Sequence, residues 1–134
     1  VRTHLEFRAE RFGGANARPN TYNPEIRGEE LADFLSAKFR EGGLDPNVIE
    51  EDWGWMVELK ADPFPLWLGC SNHGDDGDWL VFIEPSQPEI RKWLKKIDTR
   101  EKVAAVTQRL EQILGDDGGA TNLTWWSDED SGRK

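Results

Sequence analysis

The sequence predicts an α+β domain: a two-layer, mostly antiparallel sheet of four to five strands with two or three helices packed on one face, in the order β-α-β-β-β-α-α-β. Three observations carry this. Residues 49 to 59 alternate, with Ile49, Glu51, Trp53, Trp55, Val57 and Leu59 on one parity. Residues 29 to 41 repeat apolar side chains at helical spacing and stop at Gly42-Gly43. Three strand-like runs then follow one another through short polar connections, which favours a meander.

The chain opens with a half-buried strand within residues 3 to 12. Leu5, Phe7 and Ala9 share one face; Glu6, Arg8 and Glu10 share the other. Gly13-Gly14 ends it, and residues 15 to 23 read as a loop. Asn23 before Pro24 fits a helix cap with proline at the first helical position, a start that Gly28 weakens. The strong helical pattern runs from Glu29 to Glu41, with Leu31, Phe34, Leu35, Lys38 and Phe39 on one stripe. In the 49–59 strand the opposite parity (Glu50, Asp52, Gly54, Met56, Glu58) faces water. Gly54, between two tryptophans, marks a bulge or a close crossing of backbones.

Asp62-Pro63 begins a turn into a strand over residues 64 to 71, with Phe64, Leu66, Leu68 and Cys70 inward and Trp67 on the opposite face. The loop Asn72 to Asp78 leads to Trp79–Glu84, apolar on both parities as a central strand is. Ser86 and Glu89 fit a capping box, and Ile90, Trp93, Leu94 and Ile97 then form one helical stripe. Asp98 and Glu101 fit a second box, opening a helix with Val103, Val106, Leu110, Ile113 and Leu114 aligned. The two stretches read equally as one kinked helix or two. Gly115 and Gly118-Gly119 close the second, and residues 121 to 126 form a last strand. Residues 1 to 127 make one domain, and 128 to 134 a disordered acidic tail.

Composition narrows the function classes. The single cysteine, Cys70, lies in an apolar strand, so a buried thiol and a reducing, cytoplasmic setting are expected. No run approaches the roughly 18 apolar residues of a membrane span. The first residues lack the apolar stretch of a signal peptide, although a start at Val1 leaves open whether the chain is a piece of a longer one. The net charge of -9 argues against binding a phosphate backbone. The cationic run Arg91, Lys92, Lys95, Lys96 is too small to reverse that. Charge is nonetheless segregated: seven acids and one lysine between Glu41 and Asp62, six bases and three acids between Glu89 and Lys102.

Candidates for chemistry are sparse. His73 sits in Ser-Asn-His-Gly-Asp-Asp-Gly-Asp, so His73, Asp75 and Asp76 are the catalytic candidates and Asp75, Asp76 and Asp78 the metal candidates, through hard oxygen ligands. The spacing is not that of an EF-hand, and Asp-Asp-Gly-Asp is also ordinary hairpin-turn chemistry. Cys70 and His73 form a dyad only if the loop bends back. The chain carries neither a nucleophile elbow nor a phosphate loop, and His4 reads as an ordinary strand histidine. No cofactor is expected.

Seven tryptophans are the remaining signal. Trp53, Trp55 and Trp93 are expected between sheet and helices. Trp125 and Trp126 are adjacent in a strand and must point to opposite faces. Trp126, Trp67 and Tyr22, with the acids Glu50 and Asp52, form the expected binding surface. The sequence therefore points to a non-enzymatic, cytoplasmic protein-binding domain with an acidic, Trp-bearing sheet surface suited to a basic partner; a bacterial inhibitor or immunity protein is an example of that class by size and charge alone. The alternatives are a small-ligand or weakly catalytic domain using the 72–78 loop, and a structural domain that dimerises through exposed tryptophan.

Overall fold

Strand β1 (His4–Arg8) is followed by helix α1 (Glu29–Glu41), strands β2 (Asn47–Glu51), β3 (Gly54–Glu58), β4 (Trp67–Asn72), β5 (Asp78–Glu84), β6 (Glu89–Lys92) and β7 (Lys95–Asp98), helix α2 (Arg100–Asp116) and strand β8 (Thr121–Trp126). These elements come from a computed structural model, which describes residues 2–13, 17–60 and 63–127. The fold is α+β. Six strands form one sheet in the order β2-β3-β4-β5-β1-β8, and β6 and β7 form a separate two-stranded ribbon. Every neighbouring pair is antiparallel.

Register places one parity of each strand in a common core. Leu5 lies opposite Val81, Phe7 opposite Trp79, Trp55 opposite Cys70 and Val57 opposite Leu68, all buried. Against this face α1 sets Leu31, Ala32, Leu35 and Phe39, and α2 sets Val103, Val106, Leu110, Ile113 and Leu114. Each fully buried aliphatic side chain is worth about 1.5–3 kcal/mol. The Trp79 indole donates to the Ala9 carbonyl at 2.8 Å, so its polar edge is satisfied inside the core.

Both helices match their sequence patterns, but three expectations need correction. Residues 49 to 59 are not one strand. They form a hairpin, with Glu51 opposite Gly54 and Asp52-Trp53 as its turn. A two-residue turn reverses direction, so continuous parity no longer places Trp53 beside Trp55.

The helix expected after Ser86 is instead the β6–β7 hairpin, in which Ile90 pairs with Ile97 and Lys92 with Lys95. The same apolar spacing serves both shapes: residues seven apart share a helix stripe and also pair across a two-residue turn. Asn23 caps no helix. Its side chain instead donates to the Asp52 carbonyl, and α1 begins after Gly28 without a side-chain cap. The sheet thus has six strands, plus a ribbon, and the helices are two. The expectations for Gly14, residues 15 and 16, Asp62 and the 128–134 tail lie outside the described residues.

Gly54 is the backbone crossing anticipated from sequence. It holds φ 151°, and a Cβ there would come within 2.4 Å of the Cys70 carbonyl oxygen. Gly54→Ala is expected to cost about 2 kcal/mol or more, from strain plus backbone displacement. Denaturant unfolding checks this, and an unchanged midpoint would show that β3 and β4 do not approach so closely there.

The start of α2 is held electrostatically. The Asp98 carboxylate accepts from the Arg100 backbone N–H at 2.9 Å and from the Arg100 guanidinium. These bonds, the guanidinium first, hold the Asp98 pKa at about 2, below its ordinary 3.8. A depressed folded-state value means that stability is present above 3.8 and lost as pH falls towards about 2. Asp98→Asn should therefore lower the melting temperature at neutral pH, and the gap from the parent chain should close in acid across that window.

Candidate functional site

The helices leave the second face of the sheet uncovered, and its own side chains close it. Opposite parity to the core puts Ile49 beside Met56, Met56 beside Gly69, Gly69 beside Phe82, Phe82 beside His4 and His4 beside Trp126. The rings form a connected row. Trp126 stacks on His4 with centroids 4.3 Å apart, and His4 on Phe82 at 5.7 Å. Phe82 meets Trp53 at 5.2 Å and Trp67 at 5.7 Å, and those two indoles meet each other at 5.8 Å. Five half-buried rings thus span the sheet from β8 to the β2–β3 turn. Aromatic pairs in such offset and edge arrangements contribute about 0.5–1.5 kcal/mol each beyond burial.

Glycine makes the row possible. The Phe82 ring lies over Gly69, where a Cβ would stand 2.2 Å from the ring carbon Cζ. The bare backbone lets the ring lie flat and reach both indoles. Carboxylates border it. Glu58 and Glu84 flank Trp67 in one cross-strand row, Glu51 ends β2, and Glu6 neighbours His4 on β1.

The segment before α1 aims Trp53 at this face. The buried Asn20 side chain donates to the Glu51 carbonyl at 2.8 Å and accepts from the Tyr22 and Asn23 backbone N–H groups. Asn23 in turn holds Asp52. The hairpin turn carrying Trp53 is therefore tied down on its far side by two asparagine side chains. Beneath it, Arg18 bridges Glu29 at 2.9 Å and Glu50 at 3.1 Å. The Thr21 backbone N–H donates to Glu50 at 2.7 Å. That bond first, then Arg18 and the Thr21 hydroxyl, hold the Glu50 carboxyl below its ordinary range.

The residues singled out from sequence separate into two groups. Trp67 and Trp126 share the uncovered face, linked through Phe82 and His4. Asp52 sits in the exposed turn beside Trp53. Glu50 lies opposite Trp55, on the helix side of the sheet, engaged by Arg18 and Thr21. Tyr22 is 63% exposed and stands outside the ring row. Trp125 faces the helix side, where its indole donates to Glu111 at 3.3 Å. Trp53 and Trp93, expected inside, are respectively on the uncovered face and 88% exposed.

The 72–78 loop is a hairpin connection. His73 Nε2 lies 3.0 Å from Glu6, and Asp78 pairs with Arg8 at 3.0 Å. Asp75 and Asp76 are exposed, and among the described residues no three His, Cys, Asp or Glu side chains converge as metal ligands. A shallow depression of about 240 Å³ beside the loop is lined by Glu6, Arg8, His73, Asp78 and Thr124 among others. Cys70 shares the core parity with Trp55 and Val81, away from His73. Burial pushes its thiol well up, so it stays protonated.

Trp53, Phe82 and His4 are members of the surface that sequence reasoning missed. Phe82 was legible in principle, since β5 is apolar on the parity opposite to its core residues. Trp53 was not, because its side follows from the hairpin turn.

Gly69→Ala should leave the protein folded, at a cost of about 1–3 kcal/mol for overpacking. It should also tilt Phe82 off its glycine and break the row. Near-ultraviolet circular dichroism in the tryptophan bands reads this, and an unchanged spectrum would place Phe82 elsewhere. Comparison with protein-family models, with curated proteins and with solved structures gave no match for this chain, so its function is read from the geometry.

Proposed function

We propose that this chain is a non-enzymatic protein-binding domain that receives a partner on the uncovered face of its sheet. One observation carries the reading: the connected row of Trp126, His4, Phe82, Trp53 and Trp67 on a face that neither helix covers. Tryptophan is the residue most enriched at binding hot spots, because it offers a large rigid area and a polar edge. Here two of the three indoles on this face, Trp53 and Trp67, touch each other.

The border decides what fits. Glu58 and Glu84 pair with Trp67 across the strands, and Glu51 ends the strand before the Trp53 turn. A guanidinium or ammonium group can lie over an indole while its charge meets an adjacent carboxylate. The partner class is therefore a protein surface that mixes arginine or lysine with apolar side chains. The overall charge of -9 strengthens the steering of such a partner. A cytoplasmic setting accords with a lone cysteine kept as a buried thiol. The oxygen-rich 72–78 loop adds nothing that favours a ligand there, because His73 and Asp78 are engaged within the fold.

Photo-crosslinking tests the face directly. A crosslinker replacing Met56 or Thr124 faces the row, and one replacing Asp33 sits on the outside of α1. Capture of a discrete partner from the first two positions only, abolished by Trp67→Ala with Phe82→Ala, is expected. Capture from the Asp33 position, or capture indifferent to the two alanines, would refute the assignment.

A further inference from the structure

We infer that the β6–β7 ribbon is a docking arm, which sets its Trp93-Leu94 tip on the uncovered sheet face of a second copy of this chain. The inference rests on that face being a protein-binding surface, and it names the occupant.

Four features make the ribbon an arm. First, its tip is apolar and projects. Lys92 and Lys95 are the last pair, so Trp93 and Leu94 form a two-residue turn, 88% and 82% exposed. Second, the turn is strained. Trp93 holds φ 61°, in a kind of turn that Gly, Asn or Asp normally supplies. Third, like charges face each other across the ribbon, Arg91 opposite Lys96 and Lys92 opposite Lys95. Directly opposed like charges destabilise a strand pair. Fourth, the root is fixed. Ile90 and Ile97 pack on the core, and the Thr99 N–H donates to the Pro88 carbonyl at 2.9 Å. The arm is therefore a projection anchored at its root, whose apolar tip and crowded cations find partners in an aromatic, acid-bordered surface.

That surface is on the same chain. Glu58, Trp67 and Glu84 form one cross-strand row, and Trp53 touches Trp67. The row lies at the end of the sheet where β5 stops at Glu84 and the arm begins at Glu89. Arm and acceptor thus sit at one end of the molecule. Two copies related by a two-fold axis can exchange arms reciprocally, so that tip meets face twice and the assembly closes as a dimer. In each exchange Trp93 and Leu94 meet the Trp53–Trp67 pair, and Lys92, Lys95 and their neighbours meet Glu58 and Glu84. A polyanion or an anionic lipid surface would also attract the cations, but neither sets carboxylates around an aromatic pair as a second copy does at Glu58, Trp67 and Glu84. The second copy turns that acidity into the attraction. Screening over about 8–10 Å leaves such close pairs effective while it damps the repulsion between whole molecules.

Analytical ultracentrifugation of the full chain over a concentration series tests the exchange. The parent chain is expected to reach twice its 15.3 kDa mass. Two variants break the two halves. Trp93→Asn with Leu94→Gly removes the tip and installs a favoured hairpin turn, so the ribbon keeps its fold. Glu58→Lys with Glu84→Lys reverses the acceptor, and its folding is checked by circular dichroism. Each is expected to raise the dimer dissociation constant by about tenfold or more. An equimolar mixture of the two restores one intact exchange and should recover dimer.

A parent chain that stays monomeric, or a dimer indifferent to the tip variant, overturns the inference. Monomeric protein that binds vesicles of anionic lipid through Trp93 also overturns it, and gives the arm to a membrane surface. Crosslinking of a different protein through Met56 or Thr124 by a monomeric chain would sink the exchange and keep the face as a binding surface.

Discussion

Helices α1 and α2 lie on one face of the sheet, so the other face must be closed by the side chains of its own strands. The contact that allows this is Phe82 resting on Gly69. A side chain at position 69 would lift the ring, and with it the link that Phe82 makes between the Trp53–Trp67 pair on one side and the His4–Trp126 stack on the other. One missing Cβ in β4 therefore organises a surface built from β8, β1, β5, β4 and the β2–β3 turn. The same economy appears at Gly54, where a bare backbone lets β3 approach β4.

A polar scaffold supports this aromatic surface from its edge. Asn20 and Asn23 hold the β2–β3 turn, while Asn72 accepts from Arg27 N–H at 3.0 Å and donates to the Glu25 carbonyl at 3.1 Å. These short amides replace regular structure between β1 and α1 and fix irregular backbone that would otherwise be unpaired. Arg18 adds a charged clamp, with its guanidinium shared by Glu29 and Glu50 and set 5.6 Å over the Trp55 ring. Around it the acids differ in behaviour. Hydrogen bonds hold Glu50 ionised, whereas partial burial, with Glu29 nearby, pushes Asp33 upward. The clamp thus joins α1, β2 and the connecting segment in one electrostatic unit.

Charge segregation along the chain becomes spatial segregation in the fold. The acidic stretch from Glu41 to Asp62 includes the hairpin that carries Glu51, Asp52 and Glu58, at the border of the ring row. The basic stretch after Glu89 becomes a ribbon rather than a helix face, which concentrates Arg91, Lys92, Lys95 and Lys96 around one tip. A helix would have spread them along a solvated stripe behind a buried Trp93. The hairpin exposes Trp93 and gathers the cations beside it, where a helix would have buried the one and dispersed the others.

The order of residues was enough to give the two layers, the limits of α1, the core stripe of α2, the inward parity of β1 and β4, and the opposed faces of Trp125 and Trp126. Local periodicity settles these, because a helix or strand must bury its apolar parity wherever it lies in the fold. Trp67 on the face away from the core followed from the same rule. Tertiary structure alone decided where direction reverses. The turn at Trp93-Leu94 carries no glycine, asparagine or aspartate, and that at Asp52-Trp53 follows its one turn former with a bulky indole, so neither announces itself, and each moved a tryptophan from the expected core to a surface. The joining of Trp126 to Trp67 through His4 and Phe82 was likewise beyond the sequence. It depends on β1 pairing between β5 and β8, and such long-range pairing is chosen by the packing of the whole sheet rather than by any run of neighbouring residues.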